Sequence, residues 1–293
     1  MSVRRVLALV ALLGAPLLCV PAGCTVLLSP GEKQCETADD CETRGFEGAT
    51  CENEVCVEPI VVDTVWGCLG HVEEPTPDTS QFVTLHIRLA FATDDSSLPV
   101  DTVVDVCDKL DLNCTGSNAD FPKGLHPGTD GYVDLTVRQG FDGFVRIAQP
   151  TIMDSRVYVG RPIVTPPNIT EIQILRPMEY EFLASIATNP ADPERGTAIL
   201  LANDCSGDRG GGVRFECPAA DDGSQEFYLI NQSPVIPPTA TSTDADGFGG
   251  FFNLPPTNTI AKAYRDSDDA YIGESSFLIL ANTISYVLVS PTP

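Results

Sequence analysis

This chain has little with which to do chemistry. Its 293 residues include three histidines, three methionines and one tryptophan. His71, His86 and His126 stand far apart, and none lies in an H-E-x-x-H or comparable spacing that would gather a metal. No G-x-S-x-G presents a nucleophilic serine. The glycine-rich stretch Gly207-Asp208-Arg209-Gly210-Gly211-Gly212 lacks the Lys-Ser/Thr of a phosphate loop, and reads as a flexible hairpin or loop. Carboxylates are too many and too scattered for any pair to stand out as a glycosidase acid and base. The expectation is therefore no catalytic residue, no cofactor and no metal ligand set.

Basic residues are also scarce. Against 41 acidic side chains there are 17 Lys and Arg, a net charge of -24. Such a surface repels nucleic acid and anionic lipid faces, since neither offers charge that it can neutralise, so a nucleic-acid partner is excluded. The acidity serves solubility, with binding of cations or a basic partner as the alternative. Calcium is the cation to weigh: Asp244, Asp246 and the Asp266-Ser267-Asp268-Asp269 cluster supply hard oxygens. The Glu that would complete an EF-hand loop is missing after Gly247, and acidic turns explain these residues. Trp66 is expected in the core or as a plug at a domain junction. A glycan-stacking platform would need several exposed aromatics.

What the chain does have is apolar strand pattern, turns and cysteine. Hydrophobic residues make up 43%, enough for cores, and Gly and Pro number 24 each. Val83, Leu85, Ile87, Leu89 and Phe91 alternate with Thr84, His86, Arg88 and Ala90, as a half-buried strand requires. Further runs fall at 103–106, 133–137, 144–147, 157–159 and 172–174, separated by Asp130-Gly131, Asp142-Gly143 and Pro166-Pro167. A second series begins with Tyr180, Phe182, Ala184 and Ile186, read as an alternating strand. It continues at 197–201, 213–217, 227–230, 248–252, 260–264 and 277–289. Helical periodicity is missing. Many short strands at this spacing predict all-β sandwiches.

The N-terminus has the layout of a secretory signal over 1–23. Arg4 and Arg5 precede an apolar run from Val6 to Val20, too short for a membrane span of about 20 residues. Ala22-Gly23-Cys24 resembles a bacterial lipobox, which implies diacylglycerol on the Cys24 thiol; ordinary signal cleavage near Ala22 is the alternative. Thr25 follows in place of the Asp that retains many lipoproteins in the inner membrane. The implied location is the cell envelope, as an outer-membrane lipoprotein, with exposure at the cell surface as a further expectation.

Nine cysteines follow Cys24. Four crowd residues 24–60, where about twenty residues cannot bury a core without covalent staples. No C-x2-C pair and no His accompany them, so disulfides are expected and not zinc. Asp39-Asp40-Cys41 and Glu54-Val55-Cys56-Val57 resemble small Cys-rich modules of bacterial surface lipoproteins. That resemblance implies alternate pairing, Cys35 with Cys51 and Cys41 with Cys56. Cys107 and Cys114 are expected to staple the loop after a strand. Cys68 is then odd: free and buried, displacing a partner of that pair, or bonded between molecules.

One stretch organises the second half. Thr243-Asp244-Ala245-Asp246-Gly247-Phe248 leads to Phe252-Asn253-Leu254-Pro255-Pro256. Together with Asp204-Cys205-Ser206-Gly207 and Gly212-Val213-Arg214-Phe215, it resembles the carboxypeptidase regulatory-like domain. The landmarks recur more loosely as Val106-Cys107, Thr129-Asp130-Gly131-Tyr132 and Gly140-Phe141-Asp142-Gly143-Phe144. The resemblance implies two transthyretin-like, Greek-key β-sandwiches at 61–178 and 179–293, and carries over no catalytic residue. Physically, Gly247 supplies the positive φ of a tight turn, Asp244 or Asp246 caps backbone N–H groups, and the phenylalanines beyond fill an inter-sheet core. Cys205 and Cys217 are expected to bridge the segment between them.

The reading is a non-enzymatic, lipid-anchored envelope protein acting as an interaction or structural module, with a protein or glycan partner. A calcium- or glycan-binding surface module is the alternative.

Overall fold

The computed structural model describes residues 33, 35–46, 49–57, 65–166, 171–185 and 190–293. The leader 1–23 and the lipobox Cys24 lie outside the described residues. The chain divides into two compact units, Met1–Val62 and Asp63–Pro293. Nearly all the regular structure is strand, and no helix among the described residues is long and apolar enough to cross a membrane.

The first unit holds α1 (Ala38–Thr43) and a hairpin of β1 (Thr50–Glu52) and β2 (Val55–Val57). Asp40 builds the helix start: its carboxylate accepts the backbone N–H of Glu36 and Thr37, each at 2.8 Å, which holds its pKa below the usual range. Cys35–Cys51 and Cys41–Cys56 are bonded, and among the described residues these cysteines with Ala49 form the core of the module.

The second unit begins with β3 (Phe82–Phe91), β4 (Val103–Asp108), β5 (Tyr132–Arg138), β6 (Gly143–Ala148), β7 (Asp154–Tyr158) and β8 (Glu171–Ile174). After α2 (Pro177–Ala184) come β9 (Gly196–Ala202), β10 (Val213–Glu216), β11 (Gln225–Ile230) and β12 (Ser233–Val235). β13 (Phe248–Leu254), β14 (Asn258–Arg265), β15 (Ala270–Leu278) and β16 (Thr283–Val289) complete it.

These strands do not form two separate sandwiches. One 8-stranded sheet runs β12-β11-β13-β9-β16-β7-β6-β4 through both predicted halves. β16, the last strand, pairs parallel with β9 on one side and with β7 on the other, so the expected boundary at 178/179 falls inside a single sheet. Both β9 and β16 are buried along their full length, as central strands covered on two faces must be. The sheet β5-β3-β8 covers one face. Its core joins Leu85, Leu89 and Leu135 to Val157, Ile199, Tyr286, Phe227 and Phe252. The sheet β10-β14-β15 covers the opposite face, where Phe215, Ala263 and Phe277 meet Tyr158, Leu200, Tyr228, Phe251 and Val287.

Within the strand expected at 180–186, the described residues 180–185 depart from it. Residues 177–184 form α2, because Pro177 starts a helix at no cost and Glu179 accepts the Arg176 N–H at 2.7 Å, closing its first turn. Tyr180 and Ala184, one turn apart, face the core, while Met178 and Phe182 are 75% and 71% exposed. The run predicted at 277–289 is likewise two strands, β15 and β16, broken by Asn282 at positive φ.

Candidate functional site

The organising turn is built as its residues require. Asp244 accepts the N–H of Asp246 at 3.0 Å and of Asn231 at 2.6 Å, and its own carbonyl accepts the N–H of Gly247. Gly247 has φ +72°, and a Cβ there would stand 2.8 Å from the Ala202 carbonyl oxygen. Beyond the turn the two phenylalanines part: Phe251 points to one core, and Phe252 to the other, stacked on Phe227 with centroids 4.2 Å apart. Asn253 sits at a β-bulge with positive φ, and its amide ties to the backbone of Pro190 and Asp192.

The glycine-rich stretch is a packed hairpin and not a loose one. Gly210 lies under the Trp66 ring, where a Cβ would come within 2.4 Å, and Gly211 lies against the Asp244 carbonyl. Trp66 is buried in the core beneath β10-β14-β15. The same segment is fastened covalently: Cys68 is bonded to Cys205, and the Cys205 N–H donates to the Val65 carbonyl. The expected Cys205–Cys217 bridge is therefore corrected. Cys217 is a free, buried thiol at the far end of β10, whose pKa burial pushes up. Nothing in local spacing could reveal a partner 137 residues away. Cys107 and Cys114 are bonded to each other, with the Lys123 ammonium 2.8 Å from Cys114 Sγ.

The other candidates are engaged structurally. His86 stacks on Tyr132 and its Nδ1 pairs with Asp134 at 2.6 Å on the outer face of the β5-β3 pair. His126 Nδ1 lies 2.9 Å from the Thr102 carbonyl oxygen, and His71 is exposed. Of the cluster weighed for calcium, Asp268 is held in a fork by Arg265, and Asp269 pairs with Arg214 at 3.0 Å. Among the described residues, one group of three possible ligands approaches metal-binding distances, Cys35, Cys41 and Cys56, and all three are in disulfides.

Sequence reasoning passed over one feature. Where β10 faces β11 and β13, Arg214, Glu216, Cys217, Pro218, Glu226 and Phe251 line a groove of about 380 Å³. Glu226 Oε1 accepts the Tyr228 hydroxyl at 2.5 Å; burial raises the pKa of both groups, that of Tyr228 also through the carboxylate itself. Arg214, also in the groove, is committed to Glu216 at 2.6 Å and to Asp269.

Comparison with known proteins gives no match to a family model and none to a curated protein sequence. Among solved structures, the TIE protein of Bacillus anthracis aligns at 12% identity over 72% of this chain and 34% of that one, with a TM-score of 0.22. A Streptococcal ancillary pilin aligns at 15% identity over 71% and 68%, TM-score 0.21. BcpA, the major pilin subunit of Bacillus cereus, aligns at 8% identity over 72% and 69%, TM-score 0.22. This chain thus spans about a third of the length of the first of these.

Proposed function

We propose that this chain is a non-enzymatic structural or interaction module of the cell envelope, exported and held there by lipid on Cys24. The observation that carries this reading is the cysteine chemistry: eight of the nine cysteines at residues 35–217 are in four disulfides. Such a set forms and persists in an oxidising compartment outside the cytoplasm. The charged leader, the apolar run and Ala22-Gly23-Cys24 supply the route and the anchor. A role without catalysis accords with His86 and His126 held by Asp134 and the Thr102 carbonyl, and with carboxylates such as Asp268 and Asp244 engaged by an arginine and by backbone N–H groups.

Intact mass of protein extracted from membranes, before and after reduction and alkylation, tests the reading. The expected chain starts at Cys24, carries acyl groups, and takes one alkyl group unreduced and nine after reduction. A soluble, unacylated chain cleaved near Ala22 would overturn the anchor. Several reactive thiols in the unreduced protein would overturn the export argument.

A further inference from the structure

The groove between β10 and β11 is a mouth in the fold. β10 pairs with β14 along one side, and its other side meets the backbone of Thr243 only at its start, through Gly212 and Val213. Past that point the strand turns toward Glu226 and Tyr228 of the large sheet, with Tyr228 Oη 3.5 Å from the Phe215 N–H. Phe251 and Phe215 form the floor, and a half-buried carboxylate stands in the wall.

That carboxylate has no ion pair. Glu226 has the neutral Tyr228 hydroxyl as its hydrogen-bond partner, and among the described residues no Lys or Arg lies within ion-pair distance of it. The one nearby guanidinium, Arg214, bonds Glu216 and Asp269 and reaches Glu226 only through its field. Burying a carboxylate without a cation costs free energy that an arriving cation would return. The volume sits at the low end for ligand sites, enough for one side chain and not for a large cofactor.

We propose that this groove is a binding site for a cationic side chain, a lysine of an extended partner segment, with its ammonium on Glu226 and its methylenes on Phe251. On that side of β10 the Val213 backbone is taken by Thr243 and the Phe215 N–H by Tyr228 Oη, so the contact is made through the side chain. The net charge of -24 draws basic partners to the surface. The site lies wholly within the described residues and stands whether or not Cys24 carries lipid.

The test is an NMR titration of the oxidised protein with Nα-acetyl-lysine methylamide, beside its uncharged norleucine counterpart. Saturable shifts are expected at residues 214–217 and 225–228 with the lysine compound. The norleucine compound should bind about tenfold more weakly, as should lysine to Glu226→Gln, since each loses a charge-assisted contact. Glu226→Gln keeps an acceptor for Tyr228, and its spectrum away from the groove reports that the fold is intact. Equal binding of the two compounds, unchanged lysine binding by Glu226→Gln, or shifts confined to other surfaces would each overturn the proposal.

Discussion

The Cys68–Cys205 bond is the covalent link with most to do in this fold. It closes a loop of 137 residues, from the segment carrying Trp66 to the end of β9. In the chain-entropy account the crosslink removes about 17 cal/mol/K from the unfolded ensemble, or about 5 kcal/mol near room temperature. The same relation gives about 2 kcal/mol for Cys107–Cys114, whose cysteines are 7 apart. The perturbation is the paired substitution Cys68→Ser with Cys205→Ser, which leaves no new thiol to reshuffle with Cys217. Equilibrium urea unfolding is followed by far-UV circular dichroism for the sheets and by fluorescence of Trp66, the sole tryptophan. The double variant should lose about 5 kcal/mol, at least twice the loss in the Cys107→Ser/Cys114→Ser pair. Trp66 emission should shift red before the sheets unfold, because the ring is held over Gly210 by the adjacent bond. A loss below about 1 kcal/mol, or an equal loss in both pairs, would refute the reasoning.

Other expectations follow from the same geometry. Gly247→Ala forces a Cβ toward the Ala202 carbonyl at positive φ and should cost about 2 kcal/mol in thermal or urea unfolding. Phe252→Ala empties a core position and should cost about 4 kcal/mol, whereas Phe182→Ala, on the outer face of α2, should stay within about 0.5 kcal/mol. Comparable losses would restore the strand expected at 180–186. Two carboxylates should bend the pH profile of stability in opposite senses. Arg195 lowers the pKa of Asp221, so its contribution is present above the ordinary carboxylate range and is lost as the pH falls through the depressed folded value. Asp221→Asn should therefore flatten the acid limb. Burial raises that of Glu226, so its contribution is present in acid and is lost as the pH rises through the folded value. Glu226→Gln should remove that decline toward neutrality, and an unchanged profile in either variant would count against its assignment.

Much of the strand content was legible because a half-buried strand writes its alternation into the chain. Val83 to Phe91 and Val133 to Val137 show it, and both are strands of a sheet with one face in solvent. The Asp244–Gly247 turn was legible too, since positive φ and side-chain capping are demands of a few adjacent residues. The groove was not, because its lining comes from three strands whose sequences carry no common mark.

The sequence by itself determined the local terms: where strands alternate, where Gly and Asp turn the chain, and which small module needs disulfides. Only the tertiary structure decided the long-range ones. That β16 lies between β7 and β9, merging two expected sandwiches into one sheet, rests on pairings between residues more than eighty positions apart. That Cys205 takes Cys68, leaving Cys217 buried and free, follows from where the Trp66 segment docks. At residues 177–184, alternation and helical spacing share Tyr180 and Ala184 as inward positions. A proline start and a Glu179 cap settle the backbone there, and the shape of the neighbouring core settles which residues it buries.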